Sequence, residues 1–178
     1  MTWDIYCAKL SFSLKIQSVF FRNMKRKLRY IKLYFKFKDK IYSYFWYRTG
    51  GKAEIAEDLT QEVFLKAWKE FSNYSQDKPF QAWIYKIAHN HLVDYYRASR
   101  PEVDIEKAKK HCGEKDVYPE LWLMLDQLPE KEKNILVLKY LHGFNYREIG
   151  EMIAQSEGSV RVSAYRALKK LKIKNYEK

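Results

Sequence analysis

The chain has 178 residues, 47% hydrophobic and 17% aromatic, with 34 Lys and Arg against 22 Asp and Glu for a formal net charge of +12. That length admits one domain or two small ones, and so much apolar content excludes disorder throughout. The charge asks for a polyanionic partner, nucleic acid or an anionic membrane surface, while two distant cysteines, Cys7 and Cys112, exclude a disulfide framework or a zinc-ligand spacing and fit a reducing cytoplasm.

From Met1 to Phe21 apolar and polar residues mix without a clean helical or strand period, and Lys9 and Lys15 interrupt any apolar run. No signal peptide or membrane span fits that stretch, so membrane insertion is not expected. Between Arg22 and Lys52 stand eleven Lys or Arg against one acid, Asp39, with aromatic and aliphatic residues interleaved. Such a segment is a basic surface, an amphipathic helix with snorkelling cations, or both. From Lys27 to Tyr47, residues Tyr30, Leu33, Tyr34, Phe37, Ile41, Tyr44 and Phe45 recur at helical spacing and predict a core helix that Gly50 and Gly51 end.

Ala53 to Arg97 holds two periodic segments around a polar break. On the first, Asp58, Gln61, Glu62, Leu65 and Lys69 share one face, a surface headed by carboxylates that suits a basic partner. Leu59, Val63, Phe64, Ala67, Trp68 and Phe71 fill the other side. On the second, Phe80, Ile84, Ile87, Ala88, His91 and Tyr95 form the predicted buried stripe, leaving Lys86, His89, Asn90, Val93 and Arg97 on a basic, hydrogen-bonding face. The break, YSQDKP, contains Tyr74 and ends in a helix-starting proline. Tyr74, Phe80, Trp83 and Tyr85 are candidates for stacking on bases, with Lys78, Lys86 and Arg97 for phosphates. Core placement is the expectation for Phe80 and Trp83, because aromatics at helical spacing usually pack inward. His89 and His91 point in nearly opposite directions and cannot chelate one metal. Neither a glycine-rich phosphate loop nor a nucleophile with a base is present, so no cofactor and no enzymatic activity are expected.

After Arg97 the period fails. Residues 99–120 contain two prolines, a glycine and six acids against five bases, the composition of a linker. Periodicity returns with Leu121, Leu125 and Leu128 before Pro129, which suits the first turn of a helix buried through Ile135, Leu136, Leu138 and Leu141 and stopped by Gly143. Asn145 and Glu148 form a capping box, with Ile149 and Ile153 inward. Ser156 caps a last helix whose stripe is Val160, Ala164, Ala167, Leu168 and Leu171, leaving Arg161, Val162, Tyr165, Arg166, Lys169 and Lys172 outward. This is a helix-turn-helix with a basic recognition helix.

Two sets of these residues carry a resemblance. Ala56 to Leu59, Gln61, Glu62, Phe64, Leu65, Ala67 and Trp68, followed by Pro79, Phe80, Trp83, Ile84, Ile87, Ala88, Asn90, Asp94 and Arg97, resemble the second conserved region of bacterial RNA polymerase sigma factors of the extracytoplasmic-function (ECF) group. Leu125, Leu128, Pro129, Leu136, Glu148, Ile149, Ser156, Gly158, Ser159, Val160 and Arg161 resemble the fourth region. Gly150 replaces the usual alanine there, and Ser163 stands where an arginine is frequent, removing one DNA contact. The resemblance implies an all-α chain of two small helical domains: an N-terminal extension over 1–23, region 2 over 24–98, a linker over 99–119 and a region 4 helix-turn-helix over 120–174. It further implies that Asp58, Gln61, Glu62, Leu65 and Lys69 bind core RNA polymerase. Tyr74, Lys78, Tyr85, Lys86, His89, Asn90 and Arg97 would hold the opened downstream strand of promoter DNA. Ser156, Glu157, Ser159, Arg161, Val162, Tyr165, Arg166 and Lys169 would read the upstream element. An anti-sigma factor is a further partner class. The rival reading is a helix-turn-helix regulator that works without polymerase, in which the acidic Asp58 face has no task.

Overall fold

The computed structural model describes residues 2–75, 77–98 and 119–176, and all secondary structure among them is helical. The chain divides into two compact units, 1–36 and 37–178. Helix α1, Thr2–Arg48, is much longer than the predicted Lys27–Tyr47. The stretch before Phe21 lacks a period, yet no proline or glycine precedes Gly50, so nothing in the sequence stops the helix. Tyr30, Phe37, Ile41, Tyr44 and Phe45 are buried as the spacing requires, whereas Leu33 is half-buried and Tyr34 is exposed. Gly50 and Gly51 take φ of 73° and 72°, and the Gly51 amide returns to the Trp46 carbonyl at 3.0 Å, closing the helix with left-handed residues that only glycine adopts cheaply.

Helices α2 (Ala53–Glu70) and α3 (Phe80–Ala98) form a hairpin. Ala56, Leu59, Thr60, Val63, Phe64 and Ala67 are the buried side of α2, and the Thr60 hydroxyl meets its hydrogen-bonding need at the Ala56 carbonyl, 2.6 Å away. On α3 the buried stripe is Phe80, Ile84, Tyr85, Ala88, His91 and Leu92. Ile87 and Tyr95, expected inside, are half-buried, because Tyr44 and Phe144 pack on the Tyr85 side with ring centroids at 5.6 Å and 4.9 Å. The predicted linker lies outside the described residues up to Pro119, where α4 (Pro119–Asp126) begins.

Pro129 is the N-cap residue of α5 (Glu130–Leu136) rather than a member of its first turn. The helix then loosens into a π-helical turn, Val137–Leu141, in which the His142 amide reaches the Val137 carbonyl at 3.2 Å. Gly143, at φ 76°, ends it. Helix α6 (Tyr146–Ile153) opens with the expected capping box, the Glu148 amide donating to Asn145 Oδ1 at 2.9 Å and the Asn145 amide to Glu148 Oε2 at 2.8 Å. Ile149 is inward, but Met152 rather than Ile153 is the second buried residue. Ala154 turns the chain in the left-handed region into α7 (Glu157–Tyr176), whose Ser159 amide donates to Ser156 Oγ. A Cβ on Gly150 would lie 2.5 Å from the Gln155 carbonyl oxygen, so this turn folds more tightly onto α6 than alanine would allow.

Candidate interfaces

The outward side of α2 places Asp58, Gln61, Glu62, Leu65 and Lys69 together and exposed, with Leu65 61% exposed among polar neighbours. Beneath it His91 is buried. The Lys66 ammonium has only donors to offer, so His91 Nδ1 accepts from it at 2.7 Å and the ring proton sits on Nε2, 2.8 Å from a Glu62 carboxylate oxygen though off the line of a good hydrogen bond. Burial and the Lys66 charge lower the His91 pKa against the opposing pull of Glu62. The neutral imidazole thus lies directly beneath one of the predicted docking carboxylates, a placement that sequence spacing did not reveal.

The break and α3 behave less uniformly. Tyr74 is half-buried, with its ring 4.8 Å from Trp83 and stacked on Phe71, and its hydroxyl donates to the Lys78 carbonyl at 2.6 Å. Phe80 is core as expected; Trp83 is only half-buried. Lys78, Lys86, Asn90 and Arg97 are exposed. Tyr85 is not available: it is fully buried, and its hydroxyl lies 2.8 Å from His142 Nδ1. A base cannot stack on it, because α1 and the segment after the π-helical turn occupy both sides. His89 and Val93, expected on the open face, are half-buried along a cleft of about 370 Å³ that Arg97 also lines, opposite Asn134, Ile153 and Gln155.

That cleft marks where the C-terminal helices pack on the hairpin, α6 against α3. Five side chains, Tyr44, Arg48, His89, Glu130 and Asn134, bond across the contact. Tyr44 donates to Asn134 Oδ1 at 2.9 Å, and Asn134 Nδ2 in turn faces His89 Nδ1 at 3.3 Å, so His89 accepts and is neutral. Burial, helped by the Arg48 charge, lowers the His89 pKa to about 4. Arg48, 5% exposed, donates to the Glu130 carbonyl at 2.7 Å and pairs with its carboxylate at 2.8 Å. His142 is likewise held to about 4 by burial and then by Lys40. Its Nε2 has no partner, which favours the tautomer with the proton on Nδ1, donated to Tyr85, because a buried lone pair is cheaper to orphan than a buried N–H. None of these cross-contacts was visible in the spacing, which gave Arg48 and Asn134 no assignment.

On α7, Ser156, Ser159, Arg161, Val162, Tyr165, Arg166 and Lys169 are all exposed, with Tyr165 68% exposed, and Glu157 is half-buried. Arg161 is pre-ordered by Glu157 at 2.6 Å and lies over the Tyr146 ring at 5.6 Å. Val160, Ala164 and Ala167 are buried behind them.

The Sigma-70 region 2 model matches residues 33–102 and the Sigma-70, region 4 model matches residues 119–171. The chain belongs to the sigma-70 family. Its curated relatives include the ECF RNA polymerase sigma factors SigW of Bacillus subtilis, 29% identical over 76% of this chain and 83% of that protein, and BldN of Streptomyces coelicolor, 29% identical over 79% of this chain and 58% of that protein. The fold is shared with the sigma factor RpoE solved in complex with the anti-sigma factor NepR from Bartonella quintana, at TM-score 0.69 and 18% identity over 80% of this chain and 94% of that one. In this ECF sigma factor, then, α2 and α3 carry region 2, and α6 and α7 carry the helix-turn-helix of region 4.

Proposed function

We propose that this sigma factor docks on core RNA polymerase through Asp58, Gln61, Glu62, Leu65 and Lys69 of α2, reads the upstream promoter element with α7, and holds the opened downstream strand with the Tyr74–Phe80 loop and Lys86, Asn90 and Arg97 of α3. The family supplies the activity: promoter recognition, DNA opening and transcription initiation in partnership with core polymerase. The observation that carries the assignment of faces is α2, where an exposed acidic and apolar patch stands back to back with a fully buried stripe. A regulator acting without polymerase has no use for it. In this reading 24–98 is region 2, 99–119 the linker, 120–174 region 4 and 1–23 an extension. No catalytic step belongs to the chain, and it works in the cytoplasm beside polymerase; among the described residues no helix is long and apolar enough to cross a membrane. An anti-sigma factor is a fitting regulator.

Asp58→Lys with Leu65→Glu tests the docking face without touching the core. Affinity for core polymerase should fall at least tenfold while the unfolding midpoint is unchanged. Wild-type affinity in that variant would sink the assignment.

A further inference from the structure

The part of α1 that precedes the region 2 hairpin carries two apolar stripes. Tyr30 and Phe37 belong to the buried one. At 100° per residue, a second set lies on roughly the opposite face: Phe21, Met24, Leu28, Ile31 and Phe35, spaced at i, i+3, i+7, i+10 and i+14 and between 38% and 63% exposed. That is the three-then-four alternation of a coiled-coil seam, narrower than the apolar arc of a helix that lies on a core. A run of five large exposed apolar side chains in one line is not the scatter of single hydrophobes normal for a protein surface.

The flanks say what covers it. Lys25 follows Met24 and Lys32 follows Ile31, Lys27 precedes Leu28, and Arg29 and Lys36 extend the row beside Lys25 and Lys32. Lys25, Lys27, Lys32 and Lys36 are exposed. In a paired coil these flanking positions face one another across the seam and set partner choice. A second copy would bring lysine against lysine in either direction. DNA would satisfy the cations but has no use for Met24, Leu28 and Ile31. We infer that this seam is a docking surface for an acidic amphipathic helix of another protein, its apolar stripe laid along Phe21 to Phe35 and its Glu or Asp residues paired with the flanking lysines.

The test uses the full chain and two synthetic four-heptad peptides, identical in their Ile and Leu seam and carrying Glu or Lys at the flanking positions. Fluorescence anisotropy should show saturable binding of the Glu peptide and none of the Lys peptide. The triple variant Met24→Ser, Leu28→Ser, Ile31→Ser should weaken the Glu peptide at least tenfold with an unchanged melting curve, since all three side chains are exposed. Lys25→Glu with Lys32→Glu should reverse the preference toward the Lys peptide, a swap that a damaged fold cannot produce. Absence of Glu-peptide binding, or binding indifferent to the triple variant, would overturn the inference. So would tight binding to phosphatidylglycerol vesicles in place of the peptide, or a concentration-dependent dimer in sedimentation, if the triple variant abolished it. Polymerase is absent from the assay, so its outcome is independent of the α2 docking face.

Discussion

Helices α7 and α3 both show a basic face opposite an apolar stripe, and the two fared differently in the fold. On α7 nearly the whole outward set, from Ser156 to Lys169, stands open, Glu157 alone being half-buried. On α3 the face is split: Lys86, Asn90 and Arg97 are open, His89 and Val93 are half-covered, and Tyr85 has crossed into the core. The difference lies in the neighbours. The outward side of α7 meets the Tyr146 ring at Arg161 and otherwise stays exposed among the described residues, whereas α3 carries α6 and the Asn134 bridge on one flank of its polar side. A helical period reports which positions are polar; it does not report that a second domain lies on them.

Acid should separate the two faces most. His89 and His142 are held to about 4 in the folded chain, while an unfolded histidine titrates near 6.5. Between those values the unfolded chain binds more protons, so the stability these groups contribute is complete above about pH 6.5 and is lost as the pH falls toward 4. At about 1.4 kcal/mol per unit, each histidine weakens the fold by on the order of 3 kcal/mol at pH 4. Urea titrations from pH 7 to 4 should show that slope, reduced in His142→Gln, which keeps a hydrogen-bonding partner for Tyr85 without a titratable ring. An equal slope in the variant would mean that His142 is not the group responsible.

Next in size is the bridge. Asn134→Leu leaves the Tyr44 hydroxyl and His89 Nδ1 without a partner in a buried site, a loss of about 2–3 kcal/mol. Amide exchange should quicken around His89 on α3 while the Arg161–Lys169 face of α7 is unaltered. Uniform quickening along both helices would show that the contact is not local.

On the open face, Arg161→Ala should relax discrimination at one upstream base by about 1–2 kcal/mol, less than a wholly free arginine because the Glu157 pair must first be exchanged for the base. A base-by-base binding profile superimposable on wild type would remove Arg161 from readout. The smallest effect belongs to the uncovered part of α3. Lys86→Ala with Asn90→Ala should lower permanganate reactivity of the opened promoter by a few-fold, with duplex binding through α7 intact. Unchanged reactivity would take those two residues out of strand capture.

The chain by itself determined much of this protein. The helical period placed α2 and its exposed face, glycine placed the ends of α1 and of the π-helical turn, and Asn145 with Glu148 placed the start of α6, because each rests on contacts within a few residues of one another. The two sigma regions were legible for the same reason, as residues at constant spacing along single helices. Tertiary structure decided the rest. Tyr85, placed among candidates for a base, is core because Tyr44 and Phe144 close on it from 41 and 59 positions away in the chain. Asn134 and Arg48, unremarked in sequence, join the two domains because their partners come from helices across the linker. A buried polar group must find a partner wherever the fold brings one, and that distance in sequence is the information a local pattern lacks.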